Sequence, residues 1–129
     1  MIEDILNDKF SDYLVGLDIY EDAKSIKLAR IVIKDEFRGS GIGTEIMNDL
    51  VNYADKNKKI VTLTASADFG GNKNRLVQFY KRFGFKLNKG IYKSYEYMDS
   101  MIRYPKMNEG PSMKTLIKNL LRENLNNLR

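Results

Sequence analysis

The chain has 129 residues, 43% of them hydrophobic and 30% charged, which is the profile of one globular domain large enough to bury its own core. It contains no cysteine and no histidine, so disulfides, thiol nucleophiles, thiolate metal sites and the commonest neutral-pH base are excluded. Acid–base chemistry is left to carboxylate, tyrosine, lysine or water. The net charge of +5 is unevenly spread: residues 1–23 carry seven acids against one base, Lys9, and the remainder is strongly basic. A basic body suits an anionic cofactor or acceptor, although much of it is ordinary solvated lysine.

Ile2, Ile5, Leu6 and Phe10 fall at helical spacing and predict a short opening helix. Tyr13 to Tyr20 and Ser25 to Lys34 read as two strands of a hairpin turned at Glu21 to Lys24. A glycine-rich turn then opens a helix carrying Ile46, Met47, Leu50, Val51 and Ala54 on one face and ending near Lys56 and Asn57. Lys59 to Ser66 is β-branched and strand-like, and a polar loop from Ala67 to Lys73 leads to a second amphipathic helix through Leu76, Phe79, Tyr80 and Phe83. Gly84 stands where that helix needs a left-handed cap. Phe85 to Leu87 and Tyr92 to Tyr104 read as closing strands, the latter from the alternation of Tyr95, Tyr97 and Met101.

Pro105 to Pro111 is a linker, and Ser112 to Leu128 places six apolar side chains on one helical stripe. The domain proper is thus residues 1–105, with 106–129 forming a linker and a C-terminal amphipathic helix. A leucine stripe is costly to leave in water, so this helix is expected to cover bare surface in cis, to pair in a homodimer, or to dock on a protein partner. Short apolar runs and an acidic N-terminus give no sign of export or membrane spanning, which implies a cytoplasmic protein.

The chemistry lies in Ile33-Lys34-Asp35-Glu36-Phe37-Arg38-Gly39-Ser40-Gly41-Ile42-Gly43. Glycines let backbone amides converge closely on a phosphate at a helix N-terminus, whose dipole also favours negative charge. Arg38 adds a permanent cation. The Walker pattern fails because Gly43 is followed by Thr44-Glu45, and the dinucleotide pattern fails for want of a glycine at position 44.

Arg38-x-x-Gly41-x-Gly43 resembles the pyrophosphate loop of the GNAT superfamily, the acyl-coenzyme A-dependent N-acyltransferases. The helix ending Tyr80-Lys81-Arg82-Phe83-Gly84-Phe85 is similar to a second motif of that family, in the same order along the chain. The resemblance covers Leu14 to Tyr104. It implies an α/β fold with a mixed central sheet flanked by helices, here shortened at its N-terminal side and extended by the C-terminal helix.

The resemblance further implies acetyl-coenzyme A as cosubstrate, no metal, and an amine, small molecule or protein, as acceptor. The main chains of Ile31, Val32 and Ile33 would pair with pantetheine, and the loop from Arg38 through Gly39, Ser40, Gly41, Ile42 and Gly43 to Thr44 would hold the pyrophosphate. Tyr80 would protonate the leaving thiolate. The family's pantetheine-contacting asparagine falls on Lys73, so Asn72 or Asn74 would serve, unless Asn74 only caps the helix. No glutamate stands on the Ile60 to Ser66 strand, which leaves Asp68, Glu96 or a water relayed by Ser66 as the base. An idle binding module on the same fold, engaging nucleic acid or protein, is the rival reading; the chain lacks the aromatic-basic motifs of an RNA-binding module.

Overall fold

A computed structural model describes residues 1–65, 72–90 and 93–106. Helix α1 (Ile2–Phe10) buries Ile2, Leu6 and Phe10, spaced four apart on one face, and leaves Ile5 half exposed. Strands β1 (Leu14–Glu21) and β2 (Ser25–Ile33) form the predicted antiparallel hairpin. Asp22 turns it, its carboxylate accepting from the amides of Lys24 and Ser25 at 2.8 and 2.7 Å. Helix α2 (Ile42–Lys56) crosses over to β3 (Ile60–Leu63), which lies parallel to β2. Helix α3 (Lys73–Lys81) leads to β4 (Lys86–Leu87) and β5 (Met101–Arg103), giving a five-stranded mixed sheet in the order β1-β2-β3-β5-β4.

Within the described residues the predicted elements are present, with one correction. The strand expected over Tyr92 to Tyr104 is not continuous: among the described residues 93–104, only Met101–Arg103 pairs, with β3 on one side and β4 on the other. Asn88 is the reason. Its buried side-chain amide donates to the carbonyls of Ser94, Tyr97 and Asp99 at 3.2, 3.0 and 3.2 Å and accepts from the Ser94 amide at 2.8 Å, gathering residues 93–100 into a loop. With its carbonyls spent there, that segment cannot run a ladder, and Tyr95 is left 83% exposed. The predicted helix over Ser112 to Leu128 lies outside the described residues.

Gly84 caps α3 as its sequence predicts. At φ +93° it allows a Schellman stop, with Phe85 N–H bonded to the Tyr80 carbonyl at 3.4 Å and Gly84 N–H to Lys81 at 3.1 Å. The hydrophobic contact that accompanies this motif is the edge-to-face pair of the Phe85 and Tyr80 rings, 5.9 Å apart.

Two polar clusters fasten the helices to the sheet. Glu21, at the hairpin end, accepts from Tyr53 Oη and Lys59 Nζ, each at 2.6 Å, and from the Ile2 amide at 3.1 Å. Burial pulls the Glu21 carboxyl upward, but these bonds outweigh it and hold it below its ordinary value, while Tyr53 is pushed up to about 12 by donating to that carboxylate. The second cluster is deeper. Arg103 makes a bidentate pair with Asp55 at 2.7 and 2.9 Å and donates through Nε to the Phe83 carbonyl at 2.6 Å; Asp55 also accepts from the Lys106 amide at 2.8 Å. Both side chains are buried.

Burial alone would raise the Asp55 carboxyl, yet the Arg103 and Lys106 bonds bring it below its ordinary value. A depressed folded pKa contributes stability that is present above the unfolded value, about 3.9, and is lost as pH falls through the folded one. Asp55→Asn leaves the Arg103 cation buried without a counter-charge and is expected to cost about 3–5 kcal/mol in urea unfolding at pH 7. The same variant should show a shallower loss of stability below pH ~4 than the unaltered chain, since it lacks the linked proton.

Candidate functional site

The site begins where the sheet opens. β2 and β3 pair from Ser25↔Ile60 only as far as Leu28↔Leu63, after which β2 continues to Ile33 without that neighbour. Ala29 marks the parting: the β1–β2 register moves from Asp18↔Arg30 to Ile19↔Leu28, so Ala29 is an extra residue bulged on β2. A bulge bends its strand and increases local twist, which turns Ala29 to Ile33 away from β3. The amide of Ile19, beside the bulge on β1, is taken by the Glu3 carboxylate at 2.8 Å.

The gap is a cleft of about 510 Å3, lined by Leu28 to Ile33 on one side, Leu63 and Thr64 on another, and Leu76, Phe79 and Tyr80 of α3. Arg38, Gly39, Gly41, Gly43, Thr44 and Met47 close its end. The Lys34 amide bonds to the Tyr13 carbonyl at 2.9 Å on the β1 side. By the alternation of strand backbone groups, those of Val32 also face β1, while those of Ile31 and Ile33 face the cleft.

The glycine loop meets the cleft at the N-terminus of α2. A single 3-10 turn, Asp35–Phe37, carries the chain round, and Gly41 sits at φ +89°, with no atom within 4 Å of where a side chain would start. That combination is a conformational demand plus open room. The first helical bond runs from the Glu45 amide to the Gly41 carbonyl at 3.0 Å, so the amides of Ile42, Gly43 and Thr44 have no helical partner. Gly43 has a different job: a Cβ there would lie 3.3 Å from Ile33 Cδ1 and 3.7 Å from Phe79, so its bareness lets the first turn pack against both walls. Arg38 pairs with Asp35 at 3.2 Å and reaches the Ile33 carbonyl through Nε at 3.5 Å.

Tyr80 lies on the opposite wall, 8% exposed, its ring packed edge-on against Phe79 at 5.3 Å. Burial pushes its phenol above the ordinary value, so it stays protonated at neutral pH.

Of the residues singled out in the sequence, Ile31, Val32, Ile33, Arg38, Gly39, Gly41, Gly43, Thr44 and Tyr80 come together around one cleft. Ser40, Ile42 and Asn74 do not line it. The Ser40 hydroxyl turns back to the Phe37 carbonyl, Ile42 packs into the core, and Asn74 is exposed on α3. The cap of α3 is Asn72, which accepts from the Arg75 amide at 3.2 Å, so Asn74 is not its cap. Asp68 and Ser66 lie outside the described residues. Sequence reasoning passed over Thr64, which lines the cleft and donates to Asp99 at 3.0 Å. Its signal was position alone, the first residue beyond the last β2–β3 pair.

A GNAT acetyltransferase domain family matches residues 7–87. The chain belongs to this GNAT family. An uncharacterized N-acetyltransferase of Methanocaldococcus jannaschii is 34% identical over 67 residues, which are 51% of this chain and 28% of that protein. This GNAT chain therefore spans about a quarter of the curated relative it matches. A putative acetyltransferase of the GNAT family from Bacteroides thetaiotaomicron superposes with a TM-score of 0.51 at 17% identity, covering 72% of this chain and 56% of that one, a likeness of fold. The mixed sheet flanked by helices is thus the GNAT fold. Among the described residues no helix is long and apolar enough to cross a membrane.

Proposed function

We propose that the chain moves an acetyl group from acetyl-coenzyme A to an amine, by direct attack within a ternary complex. The observation that carries this reading is the free edge of β2 running straight into the N-terminus of α2, with a buried, protonated tyrosine on the facing wall. An extended, amide-bearing pantetheine arm needs strand groups without a β3 partner, and those of Ile31 and Ile33 face the cleft, the Ile33 carbonyl being reached by Arg38 Nε at 3.5 Å. A diphosphate needs converging amides and positive potential, supplied by Gly41 to Thr44, the α2 dipole and Arg38. The fit extends to space, since Gly39 and Gly41 leave the region beside the loop open.

The roles of the residues follow. The Ile33 amide polarises the thioester carbonyl, a pre-organised donor of a kind worth several kcal/mol in acyl transfer. Tyr80, which burial keeps protonated at neutral pH, gives its proton to the departing thiolate as the C–S bond breaks. The chain has no cysteine to carry the acetyl group, so the amine, as its neutral base, attacks the thioester itself: the C–N bond forms as the C–S bond breaks, and the proton the nitrogen sheds passes through water and restores the one Tyr80 gave to the thiolate.

Gly41→Val forces a β-branched residue into left-handed geometry and is expected to abolish coenzyme A binding in calorimetric titration while the far-ultraviolet dichroism stays unchanged. Undiminished affinity with an intact fold would overturn the cofactor assignment. Tyr80→Phe keeps the ring and deletes the donor, so kcat should drop about a hundredfold with little change in the KM for acetyl-coenzyme A. A variant that turns over as fast as the unaltered chain returns Tyr80 to packing.

A further inference from the structure

We infer that Thr64 anchors the acceptor amine in the cleft, held in its working rotamer by Asp99; this rests on the acetyl-transfer reading above. The cleft needs a hydrogen-bond acceptor to orient an incoming N–H, and among its described lining residues there is no carboxylate and no imidazole. The polar side chains that line it are Arg30, Arg38, Thr44, Thr64 and Tyr80. Guanidinium groups only donate. Tyr80 is committed to the leaving thiolate, and Thr44 sits in the first turn of α2 beside the phosphate loop.

Thr64 alone of the five is wired to a carboxylate as a hydroxyl. Its Oγ1 donates to Asp99 Oδ1 at 3.0 Å, because a carboxylate can only accept, and that fixes where the hydroxyl's lone pairs point. One lone pair takes a long bond from the Ser100 amide at 3.4 Å, leaving the other for an N–H donor in the cleft. Asp99 is itself restrained: Lys27 Nζ stands 3.5 Å from the same oxygen, and its side chain is only 11% exposed. The neighbouring bond from the Ala65 amide to Ser100 Oγ, 3.2 Å, ties the end of β3 to this segment. A hydroxyl polarised by a carboxylate is a stronger acceptor than a free one, and a negative charge one bond behind it favours the binding of an amine that arrives as a cation and gives its extra proton to water before it attacks. Thr64 is thus the residue that touches the acceptor, and Asp99 is a positioning residue acting through it.

The test measures thiol release from acetyl-coenzyme A with three amines: a tetrapeptide with a free α-amine, Nα-acetyl-lysine amide, and spermidine. With the amine that turns over best, Thr64→Val should lose roughly tenfold or more in kcat/KM for the amine, as expected for a bond to a polarised group, while acetyl-coenzyme A affinity by calorimetry is unchanged. Thr64→Ser restores the hydroxyl and should recover most of the rate. Asp99→Asn, which can still accept from Thr64 but carries no charge, should raise the amine KM more than it lowers kcat. Turnover by Thr64→Val equal to the unaltered chain overturns the inference and leaves acetyl transfer standing, as does a loss shared equally by the valine and serine variants, or a loss in Asp68→Asn with Thr64→Val silent. No thiol release by the unaltered chain on any of the three amines overturns the parent reading and this one with it.

Discussion

The bidentate pair between Asp55 and Arg103 is the interaction on which the walls of the cleft depend. Asp55 belongs to the last turn of α2, Arg103 to β5, and the Phe83 carbonyl that Arg103 also holds belongs to the turn that ends α3. Two helices that contribute opposite walls of the cleft, the glycine-loop helix and the tyrosine helix, are therefore keyed to the same guanidinium from their C-terminal ends. The geometry leaves little slack: a Cβ on Gly84 would stand 3.3 Å from Arg103 Nε, so the glycine that stops α3 also makes room for the pair. Apolar packing alone can slide. A planar fork with three fixed acceptors cannot, and that rigidity fixes how α3 presents Tyr80.

The second constraint is the one-residue bulge at Ala29. A regular parallel ladder between β2 and β3 would have spent the amides and carbonyls of Ile31 and Ile33 on the sheet, leaving nothing to pair with a ligand. The bulge ends the pairing at Leu28↔Leu63 while β1 keeps β2 extended on its far side, so an unpaired edge is created without unfolding the strand. Its own cost is contained, because the Ile19 amide beside it is satisfied by Glu3 from α1. A short acidic helix at the N-terminus thereby supports an opening on the far side of the hairpin.

What was legible in the sequence was what is local. The periodicity of Ile46, Met47, Leu50, Val51 and Ala54 located α2, the hairpin followed from two extended runs about a turn, and Gly84 was readable as a Schellman stop because that motif is written within six residues. The glycine loop and Tyr80 were legible for the same reason, and they meet in one cleft. What escaped was non-local. Asp55 falls four residues after Val51 on the buried stripe of α2, which announces a buried carboxylate, but nothing announces that its partner lies 48 residues on. Asn88 looked like a turn residue, and only its capture of three distant carbonyls turns Tyr95 and Tyr97 out of strand alternation. Asn74 read as a possible cap because asparagine satisfies capping statistics, and only the geometry puts the cap two residues earlier, at Asn72.

Charge is segregated around the cleft. The polar side chains facing inward are cationic or neutral, and the carboxylates stand one step behind: Asp35 on Arg38 at 3.2 Å, Asp18 on Arg30 at 3.8 Å and Asp99 on Thr64 at 3.0 Å. A carboxylate in the lining would oppose an anionic ligand directly, by the full Coulomb term of a partly desolvated site. Set one group back, it fixes the orientation of the side chain that does face the ligand, and its charge is largely neutralised by that partner where the partner is an arginine. At Thr64 the partner is neutral, and among the described residues Lys27 at 3.5 Å offsets the charge. On the reading proposed above, the two ends of the cleft would hold opposite partners, an anion at the α2 terminus and a cationic amine beside Thr64.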